Sequence, residues 1–447
     1  MNAEILNQRT VPILWGIFLV SFAVSLGYSL YYRIEPAVDA RAYDGIAWNI
    51  TQGHGYTEDP NLPLSEASAI RRPGPGYEYF LAGVYALFGH RYLPVWVIQA
   101  FLHACSAIFV YFIARKVFDE HWHPLVGIFA AILFGLSIDL IIGSSMLLTE
   151  TLSIFLMLTA FLVFLKSCEK PAAYGLIACA GLLLGIAALV RPPLVLLALP
   201  MIWYVWHKGR GPLRPVIFCA ALLLAFAPWS AYTYRVYGMP LPFGANLGLN
   251  LYSGNHPGAT GELDPDYHTY PYNELGPVGG ERMLRSKAID FISSNPGEFL
   301  KITAYRTSMY FAFSRPTGWW PYLQGNARYA TLAVSAIYSV ILFTFGCAGA
   351  YSFIKNHARR VRERAVFLLA SLLMIPLGVV FIIVETRYRY PIYPFFAIFA
   401  GYGIYQFWEN RRIIAPLAVS FLILSANTLF DVARNWSRIL ERLPRIF

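Results

Sequence analysis

The sequence predicts an all-α polytopic membrane protein, and three observations carry that expectation. Hydrophobic residues make up 57% of the 447 and charged residues only 13%, about half the roughly 25% of soluble proteins. Aromatic residues reach 16%. Apolar runs near the roughly 20 residues that cross a bilayer recur along the chain. A soluble enzyme, a disordered scaffold or a nucleic-acid binder of this length needs a charged surface that this composition cannot supply. The formal net charge of +10 does not change that.

Spans are expected near 11–31, 92–114, 125–142, 151–166, 172–190, 192–206, 215–236, 330–354, 365–384, 391–408 and 413–430, about eleven in all. The run 10–32 is too long for the apolar core of a cleavable signal and lacks a small-residue cleavage site, so it is taken as a retained first span. The segment 76–89 is short for a span and fits a juxtamembrane helix or an outer extension of the second span. The five cysteines lie in or beside apolar stretches without CxxC spacing, which indicates neither a disulfide framework nor a zinc site.

Orientation follows from the basic loops. With the amino terminus inside, Arg115 and Lys116, Lys166 and Lys170, and Lys208, Arg210 and Arg214 all fall in the cytoplasm. So do Lys355, Arg359, Arg360, Arg362 and Arg364, and Arg411 and Arg412. Two long segments then lie outside, 32–91 and 237–329. Within the second, 281–294 alternates apolar and polar residues as an interfacial amphipathic helix does, and Asn295-Pro296 separates it from another helix over 298–313. Four parts are expected: 1–236 as a catalytic transmembrane module with its first outer loop, 237–329 as an outer loop, 330–430 as further spans, and 431–447 as an amphipathic tail. No internal repeat is visible, so an inverted-repeat transporter gains no support.

The same rule exposes its exceptions. Arg191, Arg387 and Arg389 fall on the outer side between spans, and Arg71-Arg72-Pro73-Gly74-Pro75-Gly76 precedes the 76–89 segment. Guanidinium groups at membrane level need partners, and a lipid phosphate offers two oxygens for parallel hydrogen bonds; headgroup snorkelling or pairing with Glu385 or Glu150 would also serve. Acids accompany them. Asp39 and Asp44 follow the first span, where residues 40–52 look helical, with Asp39 placed as an N-cap and Tyr43 in the first turns. Asp139 and Glu150 bracket the outer end of the third span, and Glu150 opens the fourth, where its charge favours the helix dipole.

A carboxylate beside phosphate-binding arginines fits group transfer from a lipid phosphate: the acid takes a proton from an acceptor hydroxyl while arginines stabilise the leaving phosphate. No GxxxxGK[ST], HExxH or GxSxG occurs, so nucleotide, zincin and α/β-hydrolase chemistry find no support. His121-Trp122-His123 is taken as a polar turn. His256 and His268 stand near Glu262, Asp264 and Asp266, a possible structural metal group.

In this order the elements resemble the GT-C superfamily of polytopic glycosyltransferases. The likeness is to the lipid-linked-sugar group that includes protein O-mannosyltransferases and the aminoarabinose transferases of lipid A. The matching stretches are Asp39-Ala-Arg-Ala-Tyr43 with Ala47 and Gly53-His-Gly-Tyr56, then Arg72-Pro-Gly-Pro-Gly-Tyr77 and Leu87-Phe-Gly89. Thr149-Glu150-Thr151-Leu152, Gly181-Leu-Leu-Leu-Gly185 running to Arg191-Pro192, Ala288 to Pro296, and Arg387-Tyr-Arg-Tyr-Pro391-Ile-Tyr-Pro394 follow. The likeness covers most of 10–405. Departures are Ala40 where many relatives carry Glu after the Asp, and the absence of the His-Pro-Pro-Leu-Gly-Lys run, a β-trefoil insert, a soluble C-terminal domain and Trp-Trp-Asp-Tyr-Gly; Trp319-Trp320 is taken as an interfacial anchor.

The resemblance implies a GT-C fold and an inverting transferase of the inner or plasma membrane, with its active site facing the periplasm or exterior. It would move a sugar from a polyprenyl-phosphate donor to a hydroxyl of a glycan, lipid or protein acceptor. By that resemblance Asp39 is the catalytic base and Glu150 the second acid, with Tyr43, Asp44, Arg72, Arg191, Arg387 and Arg389 as substrate-binding candidates. No cofactor is required, although a divalent cation between Asp39 and Glu150 is compatible. Membrane lipids, the lipid-linked donor and the acceptor are the expected partners, and nucleic acid is not. A flippase for a lipid-linked glycan, or a ligase-type transferase using a pyrophosphate lipid, would share the arginines.

Overall fold

The computed structural model describes residues 3–118, 123–170, 173–208, 211–261, 270–313, 322–323, 325–357, 359–409 and 411–437. Trp319-Trp320, His121, Trp122, the acidic group at 262–268 and the tail beyond 437 lie outside them.

Among the described residues the chain is helical, with no strand. The amino-terminal half comprises α1 (Ala3–Tyr32), α2 (Asp39–Thr51), α3 (Gly76–Phe88), α4 (Tyr92–Phe118), α5 (Pro124–Gly135), α6 (Ile138–Ser145), α7 (Thr149–Ser167), α8 (Tyr174–Val190), α9 (Ala198–His207) and α10 (Leu213–Tyr237). Then come α11 (Leu247–Gly254), α12 (Tyr270–Ser294), α13 (Pro296–Phe311), α14 (Gly325–Asn356), α15 (Arg359–Val380), α16 (Tyr393–Glu409) and α17 (Ile414–Arg434). Three short 3₁₀ turns, Ser68–Arg71, Pro192–Leu197 and Thr386–Ile392, precede α3, α9 and α16.

Seven described helices are long and apolar enough to cross a membrane, eight if α5 and α6 form one broken span. All eleven expected segments fall on helices, but not all are full-length spans, so the count of eleven is not confirmed. The run 125–142 is bent by 49° between α5 and α6, where Leu136 and Ser137 leave helical geometry. The run 192–206 begins as a 3₁₀ turn because Pro192-Pro193 has no N–H to carry helix hydrogen bonds. The segment 76–89 is the separate helix α3, closed by Gly89 at φ 73°. Helix α12 ends before Asn295 and α13 begins at Pro296, the break expected from sequence.

Apolar surface is distributed as lipid requires. Helix α16 is central, with every residue from Tyr393 to Gly403 buried and α14 and α5 packed on it. Helices α1 and α17 are peripheral and show Val11, Trp15, Leu19, Leu422, Ile423 and Leu429 outward. This is an integral membrane protein.

The polar groups sort to the two ends. The end of α4 with Lys116, the turns after α7 and α9 with Glu169 and Lys208, and the start of α15 with Glu363 meet at one end, through the ion pairs Lys116–Glu169 and Lys208–Glu363, and Arg364 donates to the Lys116 carbonyl at 2.6 Å. The segments expected on the opposite side of the membrane meet separately, around Asp39 and Glu150.

Small residues let the central helices approach. Gly181 and Gly185, four apart, face α10: a Cβ on Gly181 would overlap the Phe218 carbonyl, and one on Gly185 would lie 2.6 Å from the Ala225 methyl. This is the small-xxx-small packing of membrane helices, and it sets the course of the helix that ends beside Arg191. Gly185→Val overpacks this contact and should cost about 1–3 kcal/mol, measured as a lower melting temperature of the detergent-purified protein.

Candidate active site

Four segments converge on one cavity of about 300 Å³. The first is the start of α2. Asp39 is its first residue rather than its cap, since Val38 holds the cap position at φ 51° and makes no side-chain cap. The Asp39 carboxylate is therefore available to partners outside its own helix. Arg387, from the Thr386–Ile392 turn, bonds Asp39 Oδ2, and Arg72 approaches Oδ1 at 3.5 Å. Burial opposes ionisation of Asp39, yet Arg387, Arg72 and Arg191 outweigh it and hold the carboxyl below its ordinary pKa. It is an anion at neutral pH.

The second segment is the Arg71-Arg72-Pro73-Gly74 loop. Gly74 lies against the Leu189 carbonyl at the end of α8, at φ 108° and with no room for a Cβ, a conformation that favours glycine. This close approach brings Arg72 to the rim that Arg191 occupies. Arg72 Nε also bonds Glu58 Oε1 at 2.9 Å. Behind the loop, Tyr56 donates to Glu78 Oε1 at 3.0 Å.

The third and fourth segments carry the other arginines. Helix α8 ends at Arg191 because Pro192 and Pro193 follow. Its Nη1 lies 2.6 Å from Glu150 Oε1 and donates to Thr149 Oγ1 at 3.3 Å. Arg387 links the cluster, with Glu385 Oε2 at 3.0 Å and Glu150 Oε1 at 3.9 Å besides Asp39. The Tyr388 ring packs beneath the guanidiniums of Arg191 and Arg387, 5.4 and 5.8 Å away.

Of the residues expected from sequence, Asp39, Tyr43, Arg72, Arg191 and Arg387 line this cavity. Glu150 lies just beneath, 1% exposed and bridged to it by two arginines. Asp44 and Arg389 sit elsewhere. The Asp44 carboxylate accepts from Tyr85 at 2.5 Å and Tyr92 at 3.0 Å and pairs with His90 at 2.8 Å, tying α2 to α3 and α4. Arg389 is buried inside the bundle, donating to the Ala312 carbonyl at 2.6 Å and lying 3.9 Å from Asp139. Asp139 accepts from Ser335 and Tyr393 at 2.7 and 2.8 Å, so this second arginine–acid pair joins α6, α14 and α16 rather than the cavity.

Sequence reasoning did not find Tyr388, Pro193, Asn246 or Asn250 on the cavity wall. The two asparagines come from the start of α11 and the residue just before it, in an outer segment whose sequence carries no motif. Among the described residues no group of three or more His, Cys, Asp or Glu is placed to hold a metal ion, and the five cysteines are free.

Residues 71–234, which include Arg72, Glu150 and Arg191, match the family described as dolichyl-phosphate-mannose-protein mannosyltransferase. Among solved structures, ArnT from Cupriavidus metallidurans bound to undecaprenyl phosphate superposes with a TM-score of 0.52 at 14% identity, covering 93% of this chain and 63% of that one. The oligosaccharyltransferase of Archaeoglobus fulgidus tethered to an acceptor peptide gives 0.50 at 15% identity, covering 93% and 55%. The chain thus spans between half and two thirds of the length of these proteins. Curated proteins give no sequence match. The chain shares the fold of these two proteins, and the family match falls on the part of the sequence that carries Arg72, Glu150 and Arg191.

The Tyr56–Glu78 pair behind Arg72 yields a stability test. Glu78 is fully buried, and burial pushes its pKa from 4.5 up to about 8. Between these values the folded protein keeps a proton that the unfolded chain releases, so stability declines as pH rises across that window. Glu78→Gln removes the titration. Its melting temperature should fall less than the parent's between pH 5 and about 8, measured in detergent at fixed ionic strength.

Proposed function

We propose that the protein is an inverting glycosyltransferase that moves a sugar from a polyprenyl-phosphate donor to a hydroxyl acceptor outside the cytoplasm, with Asp39 as general base. The observation that carries this reading is the ionised Asp39 on a cavity wall that, among the described residues, four arginines share with only one other lining carboxylate, Glu385. The family match over 71–234 and the fold shared with a protein that holds undecaprenyl phosphate support it.

The donor phosphodiester enters among Arg72, Arg191 and Arg387. Its oxygens take over guanidinium N–H groups that the carboxylates hold in the free protein, which weakens the grip of Arg387 on Asp39. The released carboxylate becomes more basic at the moment an acceptor hydroxyl needs a proton acceptor. The acceptor oxygen attacks the anomeric carbon from the face opposite the phosphate. As that bond forms, the bond from anomeric carbon to phosphate oxygen breaks, the hydroxyl proton passes to Asp39, and the lipid phosphate leaves with its charge on the arginines. Glu150 keeps Arg191 and Arg387 oriented from below. In this scheme side chains supply the positive charge, and a divalent ion would be an addition to it.

The test is purified protein with a polyprenyl-phosphate sugar and an acceptor hydroxyl. Release of polyprenyl monophosphate with an inverted product supports the proposal. Translocation of the intact lipid without release would mark a flippase, and release of a diphosphate lipid from a pyrophosphate donor would mark a ligase-type transferase; either overturns it. Asp39→Asn should lower kcat by about 10²–10⁴ while polyprenyl phosphate still binds.

The pH profile has a definite sign. Asp39 acts as its anion, so kcat/KM holds above the pKa of the free enzyme's carboxyl and falls as pH drops through it. The arginines set that limb below the roughly 3.9 of a free aspartate. Arg72→Gln should move the limb upward, and an unchanged limb would remove Asp39 from the role of base.

A further inference from the structure

A second polar cavity lies at the far end of the bundle from Asp39. Helix α7 separates the two: it starts beside Glu150 and ends at Ser167, 19 residues on, which is roughly 28 Å. The cavity encloses about 130 Å³, and its wall carries Lys116, Lys208, Arg364, Glu169, Tyr204 and Cys168. These come from α4, the turn after α7, α9 with the residue that follows it, and α15. The transfer chemistry does not reach this end.

Buried groups hold the wall in place. Arg214 of α10, 1% exposed, donates to the Ser167 and Lys170 carbonyls and so fixes the turn that presents Cys168 and Glu169. Its Nε and Nη1 have no hydrogen-bond partner among the described residues, so no carboxylate bonds this buried charge there. Arg364 donates to the Lys116 carbonyl at 2.6 Å, tying α15 to α4. Lys208 Nζ lies 5.3 Å over the Tyr204 ring. Lys116 and Lys208 each bond one acid, Glu169 and Glu363. An ammonium has three donors, so each lysine can serve a further acceptor with its ion pair intact.

We propose that this cavity binds the phosphate of an anionic phospholipid headgroup, with Lys116, Lys208 and Arg364 as its ligands. Charge selects an anion: the stretches 115–120, 166–170, 208–214, 355–364 and 409–412 hold fourteen lysines and arginines against five acids. Topology alone would scatter those cations over exposed loops, whereas three of them converge on one cavity. Size selects how much of the ligand is enclosed. At 130 Å³ the cavity falls below the roughly 300–1,000 Å³ of sites that take in a whole small molecule, while a phosphate group fits. The remainder of the ligand lies outside, and α9 marks the depth. It brings Tyr204 to the cavity while Leu199, Trp203 and Trp206 stay exposed, and tryptophans of this kind sit at headgroup level. A phosphodiester in the cavity with its acyl chains along the apolar surface meets both conditions. Once bound, it joins α4, α9 and α15 through charge-assisted hydrogen bonds and brings negative charge to the turn that Arg214 holds.

The test follows thermal unfolding of the full chain, delipidated in neutral detergent, with phosphatidylglycerol, phosphatidylcholine or inorganic phosphate added. Phosphatidylglycerol should raise the parent's melting temperature by about 2–5 °C at saturation, and zwitterionic phosphatidylcholine by less than about half of that. In Lys116→Gln/Lys208→Gln the rise should fall below about 1 °C. In Arg115→Gln/Lys166→Gln, which removes two exposed cations of the same end, the rise should persist. The two variants lose equal charge, so the comparison separates the cavity from the general attraction of a basic surface and from the arginines around Asp39. Lipid retained through gel filtration is counted by phosphorus analysis, a readout that does not depend on the variants' own stability. The parent should keep more phosphatidylglycerol per chain than the cavity variant. An undiminished rise in the cavity variant, equal losses in both variants, or an equal rise with phosphatidylcholine overturns the proposal. A rise from inorganic phosphate as large as that from phosphatidylglycerol, and lost in the cavity variant, overturns the lipid as occupant and leaves a site for free phosphate.

Discussion

Arg387 is the interaction on which the site depends. Its guanidinium is nearly buried and touches three carboxylates drawn from three parts of the chain: Asp39 after the first span, Glu150 at the start of α7, and Glu385 two residues before it. A charge at this depth is tolerated only if it is paired and hydrogen-bonded. Removing Arg387 would leave three acids facing one another in a poorly solvated place. The arginine therefore fixes the closing turn between α15 and α16 against α2 and α7, and it makes the cavity's arginine–acid cluster part of the packing.

The flanking elements serve that junction. Proline ends α8 where Arg191 must turn toward Glu150, and the close approach of Gly74 to the same helix end brings Arg72 alongside. Gly181 and Gly185 bring α8 against α10, so the helix carrying Arg191 cannot drift without separating two membrane helices. A second buried pair, Arg389 with Asp139, ties the turn before α16 to α6. Two arginines in one short motif thus have different tasks: Arg387 faces the cavity and Arg389 faces the core.

That division marks the limit of what the sequence made legible. Apolar run lengths and the one-sided basic loops located the helices, because both reflect the bilayer directly. They did not show that the third apolar run is bent, since the break at Leu136-Ser137 exists to bury Asp139 against residues nearly 200 positions away. Asp39, Arg72 and Arg191 stood out because a charge on the outer side of a membrane segment needs a reason. Asp44 stood out for the same reason, but its partners are two tyrosines and a histidine from α3 and α4, which only tertiary structure could reveal. Asn246 and Asn250 gave no signal, since asparagine in a polar outer segment is ordinary and gains meaning only from the cavity beside it.

Under the proposed function, the arginine–acid cluster also explains how an anion site persists without its ligand. Three unpaired guanidiniums at this depth would repel one another and carry a large desolvation cost. Asp39, Glu150 and Glu385 act as internal counterions to the arginines, so under the proposed function a phosphodiester would enter by exchange of partners rather than by filling an unbalanced charge. Exchange lowers affinity for the phosphate alone, because each new hydrogen bond replaces an existing one. On that proposal the same exchange would tie base strength to occupancy: the closer the phosphate holds Arg387, the less that arginine depresses Asp39. A proposed base that is weak when the cavity is free and stronger when it is filled would be protected from idle proton transfer, and the coupling would need no moving lid, only a shared arginine.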